Sequence, residues 1–118
     1  MSCDKLVQII LKEGWKDPKL FEDEKRCVID FRHPKIKPEE PVSYFLSSVD
    51  FDKEKNVLKA TVRSKVDNYK EVYLEPCCEN GENVCKPHVD MENKTFSVEA
   101  TFSQKPIERF QTLLTDLL

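Results

Sequence analysis

This sequence predicts an α+β domain: an antiparallel β-meander of about five or six strands, flanked by an N-terminal and a C-terminal helix. Three observations carry that expectation. Between Cys27 and Phe102, short segments alternate apolar and polar residues, the period-two pattern of half-buried strands. Asn80-Gly81 sits inside that region, the strongest short signal for a two-residue hairpin turn. From Pro106 to Leu118, apolar residues recur at helical spacing. Six short strands also fit a β-sandwich or a PH-like barrel closed by the C-terminal helix, and alternation alone does not separate these from an open sheet.

At 118 residues the chain reads as one globular domain, 1–118, large enough to bury a core. No apolar run approaches the roughly 18–20 residues of a transmembrane helix. The apolar stretch Leu6 to Leu11 ends at Lys12-Glu13 without a small-residue cleavage site, so no signal peptide is read. Five cysteines is an odd count, with Cys3 and Cys27 far along the chain from Cys77, Cys78 and Cys85. That argues against a disulfide framework and for a cytoplasmic or nuclear protein. Without a signal peptide, Asn93-Lys94-Thr95, which fits a glycosylation acceptor, reads as chance. The net charge of -3 is wrong for electrostatic binding to nucleic acid.

The first helix starts with Ser2 as N-cap, presents Leu6, Ile9 and Ile10 on one face, and stops at Gly14. Asp17-Pro18 looks like an N-cap and first helical proline, which predicts a short second turn carrying Leu20 and Phe21. Trp15 is expected to plug the junction against the sheet. Strands follow at Cys27–Arg32, Tyr44–Phe51, Val57–Ser64, Tyr69–Glu75 and Thr95–Phe102, with a hairpin partner after Asn80-Gly81. Three prolines between His33 and Pro41 make a stiff extended connector. In the closing helix Ser103 is the expected N-cap, and Ile107, Phe110, Leu113, Leu114 and Leu117 share one face.

Cys77, Cys78, Cys85 and His88 are the candidate metal ligands, since three cysteines and a histidine match a tetrahedral zinc by type. A hairpin turning at Asn80-Gly81 divides them, putting Cys78 and Cys85 on one face and Cys77 with His88 on the other. The expectation is therefore no metal and no cofactor. Catalysis has no better footing: a thiol nucleophile needs an orienting third residue, and none stands out. With Gly14 and Gly81 the only glycines, no glycine-rich nucleotide loop exists.

The reading that remains is a non-enzymatic protein-interaction module or subunit of a larger assembly, with another protein as partner. Pro34, Ile36, Pro38 and Pro41 on the connector are candidate docking residues, as are Phe110, Leu114 and Leu117 on the last helix. The heptad-like spacing of that helix also fits a homo-oligomer through it. The order of elements resembles small interaction domains such as RWD-type domains, which implies protein binding at the level of fold alone. An alternative is a small apolar-ligand or lipid carrier, its cavity lined by Phe45, Phe51, Phe96, Phe102 and Phe110. A third is a redox or zinc protein using the cysteine cluster.

Overall fold

Gly14 stops the first helix by adopting a left-handed φ of 96°. The helix, α1 (Cys3–Lys12), closes in a Schellman motif: Gly14 N–H donates to the Leu11 carbonyl and Trp15 N–H to that of Ile10. Residues 3–68 and 83–118 are described in this computed structural model. The expected Tyr69–Glu75 strand, the Asn80-Gly81 turn and Ser2 lie outside them.

Six antiparallel strands make one open sheet, not a closed barrel. They are β1 (Lys16–Glu22), β2 (Arg26–Arg32), β3 (Leu46–Asp52), β4 (Val57–Lys65), β5 (Val84–Asp90) and β6 (Thr95–Phe102). A single helical turn, α2 (Val42–Phe45), precedes β3, and α3 (Pro106–Asp116) ends the fold. The order is β1-β2-β3-β4-β6-β5, so the meander breaks once: β4 pairs with β6 and leaves β5 on the outer edge.

Asp17-Pro18 begins a strand and not the expected helical turn. The register slips between Lys16 and Lys19, and Asp17 takes a φ of 56°, which together make a β-bulge. Beyond it Leu20 pairs with Ile29 and packs on the core. Proline and a bulge are tolerated here because β1 is an edge strand. Pro87 occupies the opposite edge in β5. Among the described residues, both outermost strands thus carry a proline, which cannot donate to a further strand.

Inward residues of β2, β3, β4 and β6 form one core with both helices. Leu6 and Ile10 of α1 cover it over β1 and β2, and Phe110, Leu113 and Leu114 of α3 over β4 and β6 on the same face. The N-cap of α3 is Lys105, in the left-handed region and without a capping side chain, and not Ser103. Ser103 and Gln104 instead donate their backbone N–H groups to Oδ1 of the buried Asn83.

Aromatic rings join the helices to the sheet. Trp15 meets Phe31 and His33 edge-on at 5.4 and 4.9 Å, and Phe31 meets Phe110 at 6.1 Å. The indole Nε1 donates to the Leu114 carbonyl at 3.2 Å. His33 Nδ1 accepts from the Lys35 backbone N–H, which assigns the ring proton to Nε2, 3.2 Å from the Leu117 carbonyl. Two side chains therefore satisfy carbonyls that the end of a helix leaves open.

The outward face of the sheet is polar, and among the described residues neither α1 nor α3 covers it. Opposite charges face each other directly across it: Lys19 with Asp30, Asp50 with Lys59, and Lys86 with Glu99. Each such pairing favours the observed register over a one-residue slip. At three hairpin turns, Asp23, Asp52 and Asp90 accept backbone N–H groups two or three residues on. These bonds lower the pKa of Asp23 and Asp52, and at Asp90 the Asn93 side-chain amide does so first, with the Asn93 backbone N–H second.

Cys3 and Cys27 are disulfide-bonded, with Cα atoms 5.6 Å apart, and the bond ties α1 to β2 inside the core. Cys85 is disulfide-bonded as well. The expectation of unpaired cysteines is corrected here, because distance along the chain says nothing of distance in the fold. By the chain-entropy account, a bond spanning 24 residues stabilises by about 3 kcal/mol. Reductant, or the Cys3→Ser/Cys27→Ser pair, is expected to lower the urea midpoint accordingly; an unmoved midpoint would show that the bond contributes nothing.

Glu13 links the two helices. Its carboxylate accepts from Gln111 Nε2 at 3.0 Å and Thr115 Oγ1 at 2.7 Å, and these bonds lower its pKa from the ordinary 4.5. Its contribution to stability is therefore complete above that ordinary value and disappears as pH falls through the lowered one. Glu13→Gln is expected to cost about 1 kcal/mol at pH 7. Thermal melts of the two proteins should converge in acid, and an equal gap at every pH would refute the assignment.

Candidate functional site

The residues expected to dock a partner part company in the fold. Phe110, Leu114 and Leu117 are fully buried, so the apolar face of α3 is spent on the domain's own core. Ile36 turns inward as well, 2% exposed, with its N–H bonded to the His33 carbonyl. Pro34 is half-buried, while Pro38 and Pro41 remain exposed. The connector is compact and not extended, since His33 and Ile36 anchor it as a series of turns.

What the connector leaves outside is a patch that sequence patterning missed. Pro41 starts the turn of α2 by accepting from Tyr44 and Phe45 N–H groups. That turn buries Phe45 and leaves Val42 56% and Tyr44 41% exposed. In the sequence, Tyr44 and Phe45 read as the first residues of a strand. Arg63 Nη1 donates to the Ser43 carbonyl, and Lys65 Nζ meets Glu40 Oε1 at 2.8 Å. Those two bonds tie the connector to β4, and the second lowers the Glu40 pKa.

Between this patch and the β1 bulge lies a cleft of about 460 Å³. Pro18, Pro38, Val42 and Leu46 give it an apolar lining, and Asp17, Lys19, Asp30 and Arg32 supply two charges of each sign. The bulge itself shapes the wall, because the extra residue at Asp17 puts Pro18 beside the connector. Arg32 contributes a further feature: its Nη1 is buried without a hydrogen-bond partner. A guanidinium nitrogen withheld from water without a protein acceptor is costly.

The candidate metal ligands do not assemble among the described residues. Cys85 pairs with Ala100 on the core face of β5, and His88 pairs with Ser97 on the outer face. His88 lies 3.5 Å from Glu99 and is largely exposed. No group of three or more metal-ligating side chains occurs among the described residues. Cys77 and Cys78 lie outside them. The phenylalanines of the carrier expectation, Phe45, Phe51, Phe96, Phe102 and Phe110, are all buried, and all but Phe45 belong to the single packed core.

No protein-family model, curated protein or solved structure matches the chain. The class that the fold defines is therefore an α+β domain with an open antiparallel sheet, one face of it under two helices. Among the described residues, no helix is long and apolar enough to cross a membrane.

Arg32→Met is expected to leave stability unchanged or slightly raised, because it removes a buried polar nitrogen that has no protein partner. A denaturation curve decides: a loss above about 1 kcal/mol would mean that Arg32 serves the fold and not the cleft.

Proposed function

We propose that the protein is a non-enzymatic interaction module that binds an extended segment of another protein in the cleft between the β1 bulge and the connector. The observation that carries this reading is the apolar lining of Pro18, Pro38, Val42 and Leu46 in a cleft that Arg32 also lines. Apolar contact supplies affinity in such a groove, and the guanidinium fixes the register of a carboxylate or carbonyl. The core offers a ligand no comparable space, since its large side chains pack against one another.

Blunted sheet edges support the same assignment. With Pro18 and Pro87 on the two outermost strands among the described residues, adding a partner strand there is disfavoured, which favours side-chain recognition. The disulfides bear on where the module works. The expectation of a cytoplasmic or nuclear location rested on unpaired thiols, and the Cys3–Cys27 bond withdraws that support. Our reading is a compartment oxidising enough for disulfides to persist.

Affinity capture with the whole chain as bait tests the assignment. Val42→Asp and Arg32→Met should each lose, by tenfold or more, partners that the wild type retains. Lys59→Ala on the outer face, away from the cleft, should keep them. Equal capture by all four baits would sink the cleft as the binding site.

A further inference from the structure

We infer that Asn93 is an acceptor for N-linked glycan, a modification of the turn that joins β5 to β6. Two independent observations meet here. Asn93-Lys94-Thr95 is the one Asn-X-Ser/Thr tripeptide in the chain. The argument against its use was that no signal peptide is read; the disulfides at Cys3–Cys27 and Cys85 weigh on the other side, for an oxidising compartment. The inference rests on the oxidising-compartment reading above and is independent of the cleft.

Geometry suits the modification. Met91 is 68% exposed, and Glu92 and Lys94 are exposed beside it, so a bulky group at the turn points away from the core. Asn93 Nδ2 donates to Asp90 Oδ2 at 2.8 Å, and the Asn93 backbone N–H donates to Asp90 Oδ1 at 3.1 Å. A glycosylated amide keeps one N–H, enough to preserve the bond to Asp90. Thr95 is buried in the finished fold, so the tripeptide is read before the hairpin closes.

The transfer balances simply. Asn93 Nδ2 bonds to the anomeric carbon of a lipid-pyrophosphate-linked oligosaccharide. The lipid pyrophosphate leaves with the electrons of the broken C–O bond, and Nδ2 releases one proton to a base on the transferase. The turn then carries a hydrated shield beside β5, at the end of the sheet where Lys94 lines a hollow with Glu40 and Phe45.

Intact-mass analysis of the whole chain, secreted from eukaryotic cells behind a secretion leader, tests the inference. The expected result is a glycan mass removed by a glycan-specific amidase, which leaves Asp at position 93 in the peptide map. Asn93→Gln and the near-isosteric Thr95→Val should lose that mass, and Thr95→Ser should retain it. Secreted protein with the Cys3–Cys27 bond intact and Asn93 unmodified overturns the inference alone. Secreted protein with free thiols at Cys3 and Cys27 overturns the disulfide reading and, with it, this one.

Discussion

Two carbonyls at the end of α3, those of Leu114 and Leu117, are held by the side chains of Trp15 and His33. Helix ends leave carbonyls without partners, and this one is buried, so water cannot serve them. The donors come from positions just after α1 and just after β2, the two places where the chain must turn over the core. Fixing α3 therefore also fixes the departure of the chain from the first helix and its entry into the connector. Trp15 sits where it does because Gly14 adopts a left-handed conformation and the Schellman bond follows. His33 sits where it does because β2 ends at Arg32 and its Nδ1 is taken by Lys35.

From that anchor the proposed binding surface follows. Burial of His33 and Ile36 draws the connector down over the end of the sheet and leaves Pro38, Pro41, Val42 and Tyr44 outside. The bulge at Asp17 brings Pro18 to face them. The cleft is thus a by-product of how two irregular segments are tied to a regular sheet. Rigid elements hold its walls: Arg63 fastens α2 at Ser43, and Lys65 fastens Glu40. Recognition sites on short segments held this way need little ordering when a partner arrives.

Much of this architecture was legible from residue pattern. Alternation located β2, β4 and β6 because each has one face on the core and one in water, as in Phe96, Val98, Ala100 and Phe102 against Ser97, Glu99 and Thr101. The faces of α1 and α3 were legible for the same reason, as was the stop at Gly14. Asp17-Pro18 misled because the same dipeptide serves a helix start and a bulge, and only the pairing of Leu20 with Ile29 decides between them. The adjacency of β4 and β6 was hidden, since nothing local says which strand a fourth one will pair with. The cleft was half visible. Pro38 and Pro41 stood out by composition, but Pro18, Val42, Leu46 and Arg32 come together only through the fold, as do Cys3 and Cys27.

The bonds from Trp15 to Leu114, Gln111 to Glu13 and Thr115 to Glu13 span 99, 98 and 102 residues. During synthesis, α3 emerges after every other described element. Until then the inner faces of β4 and β6, with Leu58, Val62, Val98 and Phe102, have no lid. A nascent chain of this kind completes its core late, and long-range closure of that sort is slow. The Cys3–Cys27 bond needs nothing beyond β2. Oxidation early in biogenesis would give the half-made domain a covalent hold on its first helix while it waits for the last.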